Sequence, residues 1–218
     1  MFGLELSIPI EQIVTVISGL IPLVVGAILY RYLVKEMKIL LLYFPTAIAV
    51  DSMGIILALK SINNLWLFNI FTVAEYSFFV FVFSFWQKKE LKKKFQFSIP
   101  LFFVIWLTIQ IVLGTVNRLN YLSMTIEGIL LSAIALYTLY NLSLKTEKLI
   151  YKDRQFWVAF GVITYFMGNL VLFSLGYLIE TQFMDSAWII HSLLNIAANI
   201  FYTGGFLCHH PRLNIGGS

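Results

Sequence analysis

Three acids and a histidine stand inside otherwise apolar stretches of this 218-residue chain: Asp51, Glu75, Glu127 and His191. Polar neighbours accompany them. Asn69, Thr72 and Tyr76 flank Glu75, Ser52 follows Asp51, and Ser123 precedes Glu127 by four positions. Tyr165 and Asn169 are four apart, and Asn195 and Asn199 follow His191 at the same interval. Four-residue spacing places side chains on one face of a helix. Acids that exchange protons suit proton-coupled transport or acid–base chemistry. Two Glu, one Asp and one His could also hold a divalent metal. A mixed set of this kind can bind a small molecule or a lipid, or it can do no more than hydrogen-bond helices to one another. The metal reading is the thinner one. The sequence has no His-x-x-x-His, no His-Glu-x-x-His, and no second histidine in an apolar run. Cys208, His209 and His210 read as an interfacial tail rather than a metal site, and the lone Cys208 has no partner for an internal disulfide.

The elements that carry these residues follow from composition. The chain is 60% hydrophobic, 17% aromatic and 12% charged, with a mean hydropathy of +0.86. Soluble domains carry about a quarter charged residues. A soluble fold of this size could not hide so much apolar surface. A soluble enzyme, a disordered chain and a nucleic-acid reader are therefore excluded, and an integral membrane protein is expected. A membrane-crossing helix needs about 20 apolar residues. Seven runs of that kind are present, at about 9–30, 39–59, 65–86, 96–115, 120–143, 155–179 and 186–207. The runs are continuous rather than alternating, which excludes β-barrel strands. The expectation is an all-α membrane protein, a single seven-transmembrane-helix domain over 1–218. The first run reads as a span and not as a cleavable signal, having no basic n-region and carrying Glu11 near its start.

Charge sets the expected orientation. With the N-terminus outside, the cytoplasmic breaks hold Arg31, Lys35, Lys38, then the Lys88–Lys94 cluster, then Lys145, Lys148, Lys152 and Arg154, with Arg212 in the tail. That is thirteen of fifteen basic residues, against Lys60 and Arg118 on the other side. The positive-inside rule then predicts N-out, C-in. The rule accounts for the basic runs; anionic lipid or a cytoplasmic partner protein at those loops is the functional alternative. No nucleic acid is called for. Trp66 and Trp188 are expected at the outer interface, Trp86 and Trp157 at the inner one, with Trp106 deep in its span.

Depth along the helices gathers the polar groups. At 1.5 Å per residue, Asp51 lies roughly 12 Å from the outer end, Glu75 roughly 15 Å, Glu127 roughly 10 Å, Asn169 roughly 15 Å, His191 roughly 8 Å and Asn195 roughly 13 Å. All fall in the outer half, so seven helices around a common axis would enclose an outward-facing polar cavity. The candidate ligand-binding set is Glu75, Glu127, His191, Asp51, Asn195, Asn169, Asn69 and Tyr76. Glu11 and Gln110 read as glue or interfacial groups. A similar opening of the spans at Asn69…Glu75, Asn120…Glu127 and His191…Asn195 hints at paired units 2–3, 4–5 and 6–7 following the first helix.

Several resemblances bear on function. The topology resembles that of rhodopsins and seven-helix receptors, but the last span carries no lysine, so a retinal Schiff base is excluded there. The Pro-Gln pairs of PQ-loop transporters are absent. The membrane hydrolases related to alkaline ceramidase and adiponectin receptors use several histidines with an aspartate, and only Asp51 and His191 correspond. The chain most resembles small seven-span proteins of unknown function from Bacteroidetes-type bacteria. The residues that carry this are Asn63-Asn64-Leu65-Trp66 with Glu75, Phe156-Trp157 with Phe166-Met167-Gly168-Asn169, and Trp188, His191, Ser192 and Asn195. The resemblance implies a bacterial cytoplasmic (inner) membrane and no activity. Because the polar groups stop halfway along the expected path, a dead-end pocket is expected, hence a small-molecule or lipid sensor acting through a partner. A proton- or cation-coupled transporter and an intramembrane lipid enzyme are the alternatives.

Overall fold

The computed structural model describes residues 10–114, 118–145, 149–174 and 184–208, with side chains at 13–114, 118–144, 149–172 and 187–208. The Glu11 side chain, Lys148, His209, His210, Arg212 and residues 180–183 lie outside these ranges. The described residues form seven α-helices: α1 (Ile10–Ile28), α2 (Lys35–Leu59), α3 (Leu65–Phe85), α4 (Lys89–Leu113), α5 (Tyr121–Lys145), α6 (Arg154–Ser174) and α7 (Met184–Leu207). Each expected run holds one helix. The helices α2 and α4 start earlier than their apolar runs, at Lys35 and Lys89 rather than 39 and 96. Lys and Glu are good helix formers, so Lys35-Glu36 and the lysines before Phe95 join the helix although they are too polar for an apolar segment.

Five of the helices, α2 to α6, are long and apolar enough to cross a membrane. The α1 helix is apolar over the shorter stretch Ile13–Ile28. The α7 helix is long but carries His191, Asn195, Asn199 and Thr203 along its length, which dilutes its hydropathy.

The packing departs from seven helices around one axis. The α1 helix packs on both α2 and α7, α3 packs directly on α5, and α6 sits between α5 and α7. Those six helices close a ring. The α4 helix lies outside it, mainly against α3, where Tyr76 stacks on Phe102 at 4.3 Å between ring centroids and donates to Ser98 Oγ at 2.8 Å. Much of its remaining surface is apolar and exposed, including Phe97, Val104 and Ile111. The expected pairing of helices 4 and 5 is therefore corrected: α5 pairs with α6. Small residues explain the choice. Gly128 of α5 packs against Leu170 and the Phe166 carbonyl of α6, and small residues let membrane helices approach closely. The α6–α7 contact uses the same device, with Tyr202 filling the space over Gly161 and Trp157 the space over Gly204.

At the basic end, Glu36 ties three helices. Its Oε1 accepts from Arg154 Nη2 at 3.1 Å and from Trp86 Nε1 at 3.3 Å. Trp157 Nε1 donates to the Tyr151 carbonyl at 2.7 Å in the adjoining loop. The opposite end is held by Asn69, whose Nδ2 donates to the Arg118 carbonyl at 2.8 Å and whose Oδ1 accepts from the Asn120 N–H at 3.0 Å. Asn120 then caps α5, its Oδ1 accepting from the Ser123 N–H at 3.0 Å. The α4 helix ends at Gly114, whose φ of 60° is left-handed backbone that a glycine adopts without strain.

Candidate functional site

The ring is hollow at one end and solid at the other. Towards the basic end, Phe44, Phe79, Phe166, Tyr202 and Phe206 fill its middle, each at most 3% exposed. Phe79 meets Phe166 at 5.9 Å and Tyr202 at 5.8 Å, and Phe44 meets Tyr202 and Phe206 at 5.8 and 6.0 Å between centroids. These are spacings of favourable aromatic contact. Four different helices thus meet in one aromatic plug.

Beyond the plug lies a cavity of about 300 Å³. It extends from Phe166 to the loop residues Asn64 and Leu119 and to Trp188 near the start of α7. All six ring helices line it, and α4 contributes nothing. Helical spacing explains the lining. On α2 it is Tyr43, Ala47 and Asp51, and on α3 Phe68, Thr72 and Glu75. On α7 it is Trp188, His191, Ser192 and Asn195. Each set recurs at three- or four-residue intervals, so one face of each helix turns inward. A smaller extension of about 20 Å³ runs between α1, α2 and α7 past Gly19, Ile48 and Asn199.

Of the eight residues expected to form a site, five line this cavity: Asp51, Glu75, Glu127, His191 and Asn195. Asn169 stands immediately behind the wall, fully buried. Its Nδ2 donates to the Tyr165 carbonyl at 2.7 Å, which leaves Oδ1 to face His191 Nδ1 at 3.0 Å. An amide oxygen only accepts, so Nδ1 carries a proton in this contact. Asn169 therefore sets the orientation of His191.

The structure places the other two away from the cavity lining. Tyr76 faces away from the cavity into the α3–α4 seam, because it is one position beyond Glu75 and so about 100° further round the helix. Asn69 belongs to the loop clasp described above, since it lies six positions before Glu75, out of step with the inward face. Gln110 is buried on α4, outside the cavity.

The carboxyl groups differ in their partners. Glu75 is 7% exposed and accepts from Tyr43 Oη at 2.5 Å. Glu127 is 2% exposed, and its Oε1 has no hydrogen-bond partner among the described residues. Asp51 is half-buried at the cavity wall and makes no hydrogen bond to another described residue. Among the described residues, no three His, Cys, Asp or Glu side chains come close enough together to hold one metal ion. Asn195 Oδ1 accepts from Asn199 Nδ2 at 2.9 Å, and Asn199 donates also to Ser18 Oγ at 2.9 Å, which joins α7 to α1 beneath the cavity.

Tyr43 is the functional neighbour that sequence reasoning missed. It sits eight residues before Asp51 with Ala47 between, and that interval was the available signal. The aromatic residues Phe68, Phe71 and Tyr121 were also missed, because an apolar ring in a membrane-length helix looks the same whether it meets lipid, core or cavity.

Fold and site together define, among the described residues, a helical bundle with membrane-length apolar helices and a cavity of apolar walls and a few polar groups, blocked at one end. No protein-family model, curated protein or solved structure matches the chain.

Proposed function

We propose that the protein is an integral membrane protein that binds a small molecule in this cavity and signals occupancy through a partner. In this reading it crosses a bacterial cytoplasmic membrane seven times, N-terminus outside, with the cavity open to the outer face. The basic loops then lie in the cytoplasm, available to a partner protein. The observation that carries the reading is the combination of a cavity of about 300 Å³ with the aromatic plug below it. Ligand pockets occupy about 300–1,000 Å³ and combine apolar walls with a few polar groups. A transporter needs a polar route to the other face. Here the route is filled by close-packed rings, so the plug favours binding over passage.

The test uses the full chain in lipid nanodiscs and a panel of cationic, anionic and uncharged small molecules. At least one class is expected to raise the melting temperature saturably, equivalent to about 2.7 kcal/mol at a hundred times Kd. Ala47→Phe, which fills the cavity between Tyr43 and Asp51, is expected to abolish that rise while leaving the unliganded melt near the parent value. No response to any compound, or an equal response in the filled variant, overturns the proposal.

A further inference from the structure

We infer that the ligand is a compact organic cation, an amine or quaternary ammonium with an apolar body; this rests on the binding reading above and narrows it. The charge balance of the cavity is one-sided. Asp51, Glu75 and Glu127 line it beside one titratable base, His191, and no Lys or Arg joins them among the described residues. The described basic residues at this end, Lys60 and Arg118, have exposed side chains outside the lining. A buried acid is costly unless it is hydrogen-bonded or paired. Among the described residues Glu75 has Tyr43, whereas Glu127 Oε1 is buried without a partner and Asp51 makes no hydrogen bond. An orphaned buried oxygen in a cavity wall calls for something the ligand brings, and that something is a donor or a positive charge.

The spacing of the acids chooses between kinds of cation. A metal ion draws its ligands to about 2.0–2.6 Å and needs several at once. No three acidic, histidine or cysteine side chains converge in that way among the described residues. An ammonium group needs far less convergence. One carboxylate gives it a charge-assisted hydrogen bond or contact, and aromatic faces within about 6 Å supply the rest.

Those faces are present. Tyr121, Tyr165 and Trp188 line the same cavity as the three acids, from three different helices. Rings beside carboxyl groups, in a chamber whose described lining holds His191 but no Lys or Arg, suit a cation and disfavour an anion. Size sets the remaining limit. At about 300 Å³ the chamber is at the small end of the range for ligand pockets, which suits a small amine and not a two-chain lipid.

The test uses the full chain in nanodiscs and three probes of one shape family: benzyltrimethylammonium, its uncharged isostere neopentylbenzene, and benzoate. Binding is read from melting shifts and from tryptophan fluorescence. Benzyltrimethylammonium is expected to bind at least about tenfold tighter than neopentylbenzene, and benzoate not at all. Glu127→Gln and Asp51→Asn, which preserve shape, are each expected to weaken benzyltrimethylammonium about tenfold and leave neopentylbenzene unaffected. The Asp51 variant keeps the test open if Glu127→Gln fails to fold, since Asp51 makes no hydrogen bond to another described residue. Equal binding of the charged and uncharged probes overturns the cation assignment and leaves the small-molecule pocket standing. So does undiminished benzyltrimethylammonium binding by both variants. Failure of all three probes, together with the wider panel, overturns the binding reading itself.

Discussion

The phenol of Tyr43 on α2 donates to Oε1 of Glu75 on α3 at 2.5 Å, joining two cavity-lining helices at the level where the chamber meets the aromatic plug. The same phenol lies against Phe44, Phe71 and Phe79, with centroid distances from 4.9 to 6.1 Å. It fastens the floor of the chamber on one side and holds a carboxyl group in the wall on the other.

Tyr43→Phe removes that donor without changing the ring packing. It is expected to cost about 1 kcal/mol, the usual scale of an interhelical hydrogen bond or an orphaned partner. For a chain of this size that is roughly 2–4 °C in melting temperature. Glu75→Gln keeps an acceptor oxygen and should cost less. A double-mutant cycle in detergent checks the pair, and additive losses would show that the two side chains are not coupled.

Asn69→Ala cuts both hydrogen bonds of the loop clasp and leaves the Asn120 N–H without its acceptor. A loss of about 1–3 kcal/mol is expected. The loop beside the exposed Arg118 should also open, so trypsin is expected to cleave after Arg118 faster than in the parent. Timed proteolysis followed by mass spectrometry measures it, and unchanged cleavage would show that the clasp does not hold the loop.

Gly161→Ala tests the α6–α7 seam. The added Cβ would stand 2.6 Å from Tyr202 Cε1, and Tyr202 is only 3% exposed, with Phe44 and Phe79 packed beside it. A buried ring so hemmed in cannot swing away. Overpacking of this kind costs about 1–3 kcal/mol. The melting temperature is expected to fall accordingly, whereas a variant as stable as the parent would show the seam to be loose.

The proposed orientation places Lys60 outside and Lys93 inside, both exposed at their ends of the bundle. In a Cys208→Ser background, which removes the single native thiol, Lys60→Cys should react with a membrane-impermeant maleimide in intact cells. Lys93→Cys should react only after permeabilisation. The opposite pattern overturns N-out, C-in.

The helices and the shared depth of the acids were legible in the sequence alone, because the signals are one-dimensional. An apolar run long enough for a membrane reads out directly from composition, and a fixed rise per residue turns position into depth. That is why Asp51, Glu75, Glu127, His191 and Asn195 could be assigned a common level before any packing was known. Only the tertiary structure decided which helices enclose that level. The exclusion of α4 from the ring, the pairing of α5 with α6 and the aromatic plug all depend on which faces meet, through contacts such as Gly161 with Tyr202 and Gly128 with Leu170. In a chain whose helices are apolar all round, periodicity does not say which ring faces lipid and which faces a neighbour. The roles of Asn69, Tyr76 and Tyr43 turn on the same point. A step of one residue rotates a side chain by about 100°, enough to move Tyr76 out of the chamber that Glu75 lines.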